Sequence, residues 1–548
     1  MTYVYKPHER PMMLGSPGTP EHPPGRKLAY LLIGLLIGIT GGFQNGLLMA
    51  NLPQIQGALG LSAEQSGWLL AAYTMTNACM SMLLFKVRQQ FGLDRFVGIT
   101  LLALVLANGL QLFGSGYGSE LVARGAGGFV GSALSTLCMF YLMQGLPAKA
   151  RMAAVLLGMG LSQIAVPLAR VISPALVTDG NVQHLFQLQF GLSLATYGAV
   201  RWLHLPLGET GEVFEWLDIL SFSLFACGIA LLCAFLVQGR TLGWETPWLG
   251  GALAGAIVCT GSSLLIESHR RHPMLMVDWL TSGNILAFAA TGAMLRILLS
   301  EQPVGAAGLM ALLGMGADQM VIYYGVITAA TVAGLALGIA HLDMTDLTRP
   351  VLIALGLIAL GSFLDLGAST LTRPAQLYLS QAVLAFAAIY FMGPMMLEGM
   401  VRAFSQGPNY IISFSAVFGI SQALGGLAGA AFLAQFQTWR AKVHAIDIGA
   451  QMLTTDPLLA QRIQLQSGAL ASSLTDPVQR QAQGTAALVQ QVWREANVQA
   501  FNDVFLLITA CALLAFGAMG AVWLSRKRRG YNPLAKELAT MQAMRDRK

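Results

Sequence analysis

LAYLLIGLLIGITGGFQNGLLM, residues 28–49, carries no charged side chain from end to end. A helix rises 1.5 Å per residue, so about 20 apolar residues cross the roughly 30 Å hydrocarbon core of a bilayer. Thirteen more stretches of this kind follow, at about 66–85, 96–114, 120–145, 152–173, 183–204, 217–237, 248–266, 283–300, 319–340, 350–367, 376–397, 409–435 and 501–524. Short polar turns join most of them. The boundary near 303–318 is ambiguous, since Gly308–Gly316 reads equally as an interfacial helix. The expectation is an all-α polytopic membrane protein with 14 transmembrane helices.

Composition agrees. Hydrophobic residues make up 55% of the 548 positions and charged residues 11%, against about 25% charged in a typical soluble domain. The net charge of +6 is distributed by side rather than gathered into a nucleic-acid patch. Of the 32 Lys and Arg, 22 fall in the N-terminus, the even-to-odd turns and the C-terminal tail, and seven on the opposite side, five of these in one long loop. Arg124, Arg170 and Arg296 lie within spans. Short basic loops stay cytoplasmic, which places both termini there, in a bacterial inner membrane. Residues 1–27 are Pro-rich and polar, read as a flexible tail without the hydrophobic segment of a signal peptide. All six cysteines fall inside spans, so no disulfide is expected, and no metal or cofactor spacing appears. The absence of G-x-x-x-x-G-K-[ST] leaves ATP drive unsupported, and no cluster of acids at one membrane face suggests an embedded enzyme.

The order of spans divides the chain: six spans over 28–204, an inserted helix pair within 205–282, and six more over 283–525, followed by a basic tail at 526–548. Between the last two spans lies a polar insert, 437–500. It contains Asp456-Pro457 and Asp476-Pro477. Asp caps free N–H groups and Pro at the first helical position forfeits no hydrogen bond, so helices should start at Pro457 and Pro477. The second has no breaker after Gly484 and should run on into the last span. The insert reads either as a docking surface, with Asp456, Asp476 and Trp493 as candidate contacts, or as a solvated helical cap.

Several landmarks recur in order. Ala50-Asn51-Leu52-Pro53-Gln54-Ile55 follows the first span; Arg124-Gly125-Ala126-Gly127-Gly128 lies in the fourth; Leu146-Pro147-Ala148-Lys149-Ala150-Arg151 turns into the fifth; Phe214-Glu215-Trp216-Leu217-Asp218 opens the seventh; His272-Pro273-Met274 through Asp278-Trp279-Leu280 precedes the ninth. With the long last loop ending Phe501-Asn502-Asp503, this succession resembles the fourteen-span drug:proton antiporter branch of the major facilitator superfamily, the EmrB-type exporters. The resemblance implies two six-helix bundles plus the inserted helix pair, export of small molecules, and a periplasmic adaptor (a membrane fusion protein) with an outer-membrane channel as partners. The coupling motifs depart from the family. Gln44 stands where the family carries Asp, Gln89 holds the Asp position of the turn after span 2, and Arg170 holds a Gly position of the span 5 antiporter motif.

Ionisable groups within a bilayer are costly and so are candidates by default. Arg124 reads as part of the coupling machinery, which the resemblance implies, or as an i,i+4 partner of Glu120. Arg170, flanked by Pro167 and Pro174, reads as a cavity-facing group selecting anions or as an Arg meeting water at a span end. Arg296 reads as an interfacial partner of Glu301. Asp218 and Asp503 read as helix caps. Asp365, in the last turn of span 11, is a coupling candidate, and no acid is placed in the deep middle of a span. Gln44 and Asn45, among Gly41, Gly42 and Gly46, read as substrate or gating contacts or as a polar helix seam. Two functions remain open: an exporter of hydrophobic or amphipathic compounds, anions among them, working by alternating access with proton coupling; or a transporter-fold protein without antiport acting as a sensor or assembly component.

Overall fold

Each apolar stretch is helical in the computed structural model, which describes residues 9, 11, 13–147, 150–178, 180–343, 346–407, 409–452, 457–469, 474, 476–530, 534–537 and 539–540. The helices are α1 (Pro24–Ala58), α2 (Ala63–Phe91), α3 (Leu93–Phe113), α4 (Tyr117–Gly145), α5 (Arg151–Leu176), α6 (Gln183–Trp202), α7 (Trp216–Leu242), α8 (Pro247–Ser268), the short α9 (Val277–Leu280), α10 (Gly283–Leu298), α11 (Ala307–Leu312), α12 (Val321–Ala340), α13 (Thr348–Leu364), α14 (Tyr378–Tyr390), α15 (Met392–Gln406), α16 (Tyr410–Ala450), α17 (Pro457–Ala469) and α18 (Pro477–Arg528). Among the described residues, twelve helical runs are long and apolar enough to cross a membrane. The chain is therefore a multi-pass membrane protein. The expected spans 183–204 and 350–367 form α6 and α13, which fall short of that measure. α6 carries Gln183, His184, Gln187, Gln189 and Arg201, and α13 has 17 residues.

The helices pack in two groups. α1 lies against α4 and α5, α4 against α2, α3 and α5, and α3 against α6. In the second group α10 lies against α16, α12 against α14, and α13 against α14 and α18. α7 and α8 pair with each other, and α7 rests on α2 and α16. The two groups meet where α5 touches α12 and α2 touches α16. Close approach depends on glycine, as expected where no hydrophobic driving force separates helix from lipid. Four Gly-x-x-x-Gly pairs (Gly34/Gly38, Gly127/Gly131, Gly334/Gly338, Gly425/Gly429) face a neighbouring helix. A Cβ at Gly429, for example, would lie 2.8 Å from the Cα of Ile297 on α10.

Four expectations need correction. The ambiguous stretch after residue 300 continues the ninth span. α10 passes through a π-helical segment, Glu301–Ala306, into α11, giving one 30-residue run, Gly283–Leu312. Pro303 sits inside that segment and has no N–H to donate, so the widened turn accommodates it. Arg296 and Glu301 are consequently interior to the run, and an acid does lie deep within a span. Second, Asp503 caps nothing: it sits inside the 52-residue α18 and accepts from Arg440 Nε and His444 Nε2, both at 2.6 Å. Third, the described part of the N-terminal segment is docked. Gly15 N donates to Glu209 O at 2.8 Å, Gln144 Nε2 to Gly18 O at 2.8 Å, and Arg151 Nη1 to Thr19 Oγ1 at 3.0 Å. Fourth, Arg296 forms no ion pair with Glu301; both are treated below.

The insert behaves as its Asp-Pro pairs foretold. α17 starts at Pro457 and α18 at Pro477, with Asp476 Oδ1 accepting from Val478 N at 2.9 Å. α16 also continues past its span for 41 residues in all. Gln437 and Asn497 bond at 2.8 Å, tying α16 to α18, while Gly484 of α18 packs on Ile463 and Ser467 of α17. Asp456 lies outside the described residues. Trp493 is half exposed on α18.

Candidate functional site

The densest unusual chemistry is a pair of buried carboxyls. Glu301 enters from the π segment and Asp365 from the C-cap of α13. Gln381 on α14 joins them: its Nε2 donates to Asp365 Oδ2 at 2.7 Å and reaches Glu301 Oε1 and Oε2 at 3.3 and 3.4 Å. The one amide of Gln381 therefore bridges both carboxyls. All three side chains are buried, and no cation pairs with either acid among the described residues. Asp365 Oδ1, Gln381 Oε1 and the Tyr323 hydroxyl are buried without a partner. Unpaired polar atoms of this kind are costly in a dry interior.

Tyr323 links this pair to the contact between helix groups. Its hydroxyl lies within the electrostatic reach of both acids, and its ring meets that of Tyr324 edge-on with centroids 5.0 Å apart. Tyr324 in turn accepts a 2.7 Å hydrogen bond from Arg170 Nη1, and the guanidinium carbon lies 4.8 Å from its ring centroid. Arg170 Nη2 also donates to Met49 O on α1 at 3.4 Å. Arg170 thus neither ends in open water nor pairs with carbonyls of its own kinked helix. It crosses from α5 to α12, one of the seams that must separate if the groups move apart.

Arg124 and Gln44 come together elsewhere. Arg124 Nε donates to Glu120 Oε1 at 2.8 Å and Nη1 to Gln44 O at 2.9 Å, all three residues being buried. The i,i+4 reading of Arg124 therefore holds: it pairs with Glu120, and it also braces α1 at the most polar turn of that helix. Gln44 Nε2 and Asn45 Oδ1 are left without partners. As consecutive residues they point apart, Gln44 toward Gly127 of α4. Arg170 bonds to Tyr324, whose ring meets that of Tyr323; Arg124 belongs to a separate cluster.

A third cluster ties the inserted helix pair to α2. Asp218 does cap α7, accepting from Glu215 N at 2.8 Å, but it also binds Lys86 Nζ at 2.7 Å and Arg270 Nη1 at 2.8 Å. Arg270 further contacts Glu267 and Glu215. Sequence reasoning gave Glu301 only as an interfacial partner of Arg296 and overlooked Gln381, Tyr323 and Lys86. For Glu301 the signal was present: the apolar run resumes after Pro303 and reaches Leu313. For Gln381 and Lys86 no pattern along the chain points to partners 80 and 132 positions away.

No family model matches the chain. It is 26% identical over 274 residues to the methylenomycin A resistance protein of Bacillus subtilis (strain 168), the match covering 47% of this chain and 56% of that protein. The chain thus spans about half the length of the curated relative it matches. Among solved structures, the human organic anion transporter MFSD10 superposes with a TM-score of 0.52 at 14% identity, covering 90% of this chain and 100% of that one. An auto-inhibited peptide transporter of the POT family gives 0.54 at 13% identity, covering 90% and 96%. The protein is a polytopic membrane protein with the fold of major facilitator transporters.

Proposed function

We propose that this protein is a secondary active exporter. It moves hydrophobic or amphipathic compounds, anions among them, by alternating access between the helices of 28–204 and those of 283–525, with the pair within 205–282 inserted between them. On this reading it belongs to the EmrB-type branch, has fourteen spans, and sits in a bacterial inner membrane with both termini cytoplasmic. The observation that carries the reading is the Glu301–Gln381–Asp365 cluster. Two carboxyls sharing one amide in a dry span, with no cation, are relieved of mutual repulsion by one proton. Loss or gain of that proton acts on Tyr323, and through Tyr324 on the Arg170 contact between helix groups. Proton coupling then needs no acid at Gln44 or Gln89. The non-transporting reading drew its support from the coupling acids missing at Gln44 and Gln89, and Glu301 with Asp365 offers another place for a proton. The resistance protein named above, as a partial relative, adds support for export.

The helices projecting over 437–500 are the docking surface for a periplasmic adaptor, which hands cargo to an outer-membrane channel. The direct test of export is proteoliposome flux under an imposed pH gradient. Flux in the wild-type protein that falls by about tenfold or more in Glu301→Gln, while gradient-free substrate exchange continues, is the expected result. Gradient-independent behaviour of the folded wild-type protein with every compound tried sinks the exporter.

A further inference from the structure

Arg296 lies near the midpoint of the 30-residue run Gly283–Leu312 and remains partly accessible there. Its guanidinium makes no hydrogen bond or ion pair with any described residue, and its Nε is buried without a partner. A membrane-interior Arg without a counter-ion is expensive to keep. It faces α16: a Cβ at Gly426 would stand 3.4 Å from Arg296 Nε. One turn back on α16, Gln422 has both its amide nitrogen and its amide oxygen buried and unpaired. A Cβ at Gly292, one turn before Arg296, would lie 3.4 Å from Gln422 Nε2 and against the Met395 thioether. Arg296 and Gln422 therefore stand on facing helices, one turn apart, both unsatisfied. On the far side, Gly419 of α16 approaches Ser81 of α2, whose hydroxyl is also buried and unpaired. The unsatisfied groups thus gather where the second helix group meets α2 of the first, the type of place where transporters of this fold hold substrate.

We propose that Arg296 and Gln422 form the binding site for the acidic group of an amphipathic organic anion. The planar guanidinium presents a fork of donors that matches a carboxylate, Gln422 adds an amide donor, and Met395 supplies adaptable apolar surface for the body of the molecule. The anion supplies the missing counter-charge, so the Arg is costly only while the site is empty. This names the substrate class of the exporter proposed above and rests on that reading for transport, though not for binding.

The test uses the full chain in lipid nanodiscs, with radiolabelled p-aminohippurate, an aromatic carboxylate, as probe and tetraphenylphosphonium as the cationic comparison. Arg296→Gln should weaken p-aminohippurate binding by about tenfold or more and Arg296→Lys by less, since a point charge replaces the fork. Gln422→Leu should weaken it several-fold. Tetraphenylphosphonium binding should not fall. Arg296→Met should raise the Tm of the unliganded protein while abolishing p-aminohippurate binding, the opposite of what a purely structural Arg would show. No p-aminohippurate binding by the wild-type chain, equal binding by Arg296→Gln, or a lowered Tm in Arg296→Met with binding intact each overturns the site. Arg296-dependent binding in a chain without gradient-driven flux overturns the exporter and leaves the site standing. Gradient-driven export of p-aminohippurate that is unchanged in Arg296→Gln does the reverse.

Discussion

Glu301 and Arg296 are five positions apart on one helical run, yet they look to different neighbours. The carboxylate turns to α13 and α14, the guanidinium to α16. Had they paired, neither would be available to a proton or to an anion. Separating them leaves two groups of opposite sign on one helical run, each without an ionic partner among the described residues. At Arg124 the situation is reversed, because it forms a buried ion pair with Glu120. Removing one partner strands the other, so Arg124→Ala should lower stability by roughly 3–5 kcal/mol. Glu120→Gln combined with Arg124→Gln should recover much of the loss, read as Tm in detergent. Asp365→Asn should abolish gradient-driven flux as Glu301→Gln does. If it leaves the pH dependence of flux unchanged, the pair is structural.

Individual helices carry their own predictions. The α10–α16 seam closes through Gly425 and Gly429, with Gly429 against Ile297 and the Ser300 hydroxyl. Gly429→Leu should force the helices apart, lowering Tm and anion binding together. The docked N-terminal segment brings His22 to Gln144, 2.9 Å away. Burial, followed by the nearby Arg26, Lys27 and Arg151 charges, lowers the His22 pKa from its ordinary 6.5 despite the opposing hydrogen bond. The docked segment therefore favours neutral His22. Docking should be at full strength above pH 6.5 and weaken as pH falls below it toward the lowered value. Hydrogen-exchange protection of residues 13–22, taken relative to the intrinsic rate at each pH, should fall over that window in the wild type and stay level in His22→Gln.

For the whole molecule, alternating access requires the α5–α12 seam to open and close, and Arg170 spans it. Arg170→Gln removes the cation–π contact and the charged donor while keeping an amide, so the closed form of that seam should lose population. Paired spin labels on α5 and α12 should report a longer mean separation in the variant. The helical projection built from α16, α17 and α18 meets the packed spans where Arg494 Nη2 donates to Leu313 O at 3.3 Å. Deleting 440–495 should abolish capture of a purified adaptor while the spans remain inserted. Capture that survives the deletion excludes the projection as the docking surface.

The helices over the apolar stretches, the helix starts at Pro457 and Pro477 and the close approaches at glycine were legible along the chain. Each depends on local composition or spacing: hydropathy over about 20 residues, Asp before Pro, Gly at intervals of four. The continuation of the ninth span past Pro303 was not, because Pro ends most helices and only a π-helical turn lets this one proceed. Nor was the partnership of Glu301 with Gln381 and Asp365, or the solitude of Arg296. Nearness in sequence suggested that Arg296 and Glu301 neutralise each other; helix rotation and the packing of α13, α14 and α16 decided that they do not. By itself the sequence determined a helical membrane protein and the places where its helices begin and meet. The tertiary structure alone decided which buried charges are satisfied, because a charge's partner in a helical bundle is set by the facing helix and not by its neighbours along the chain.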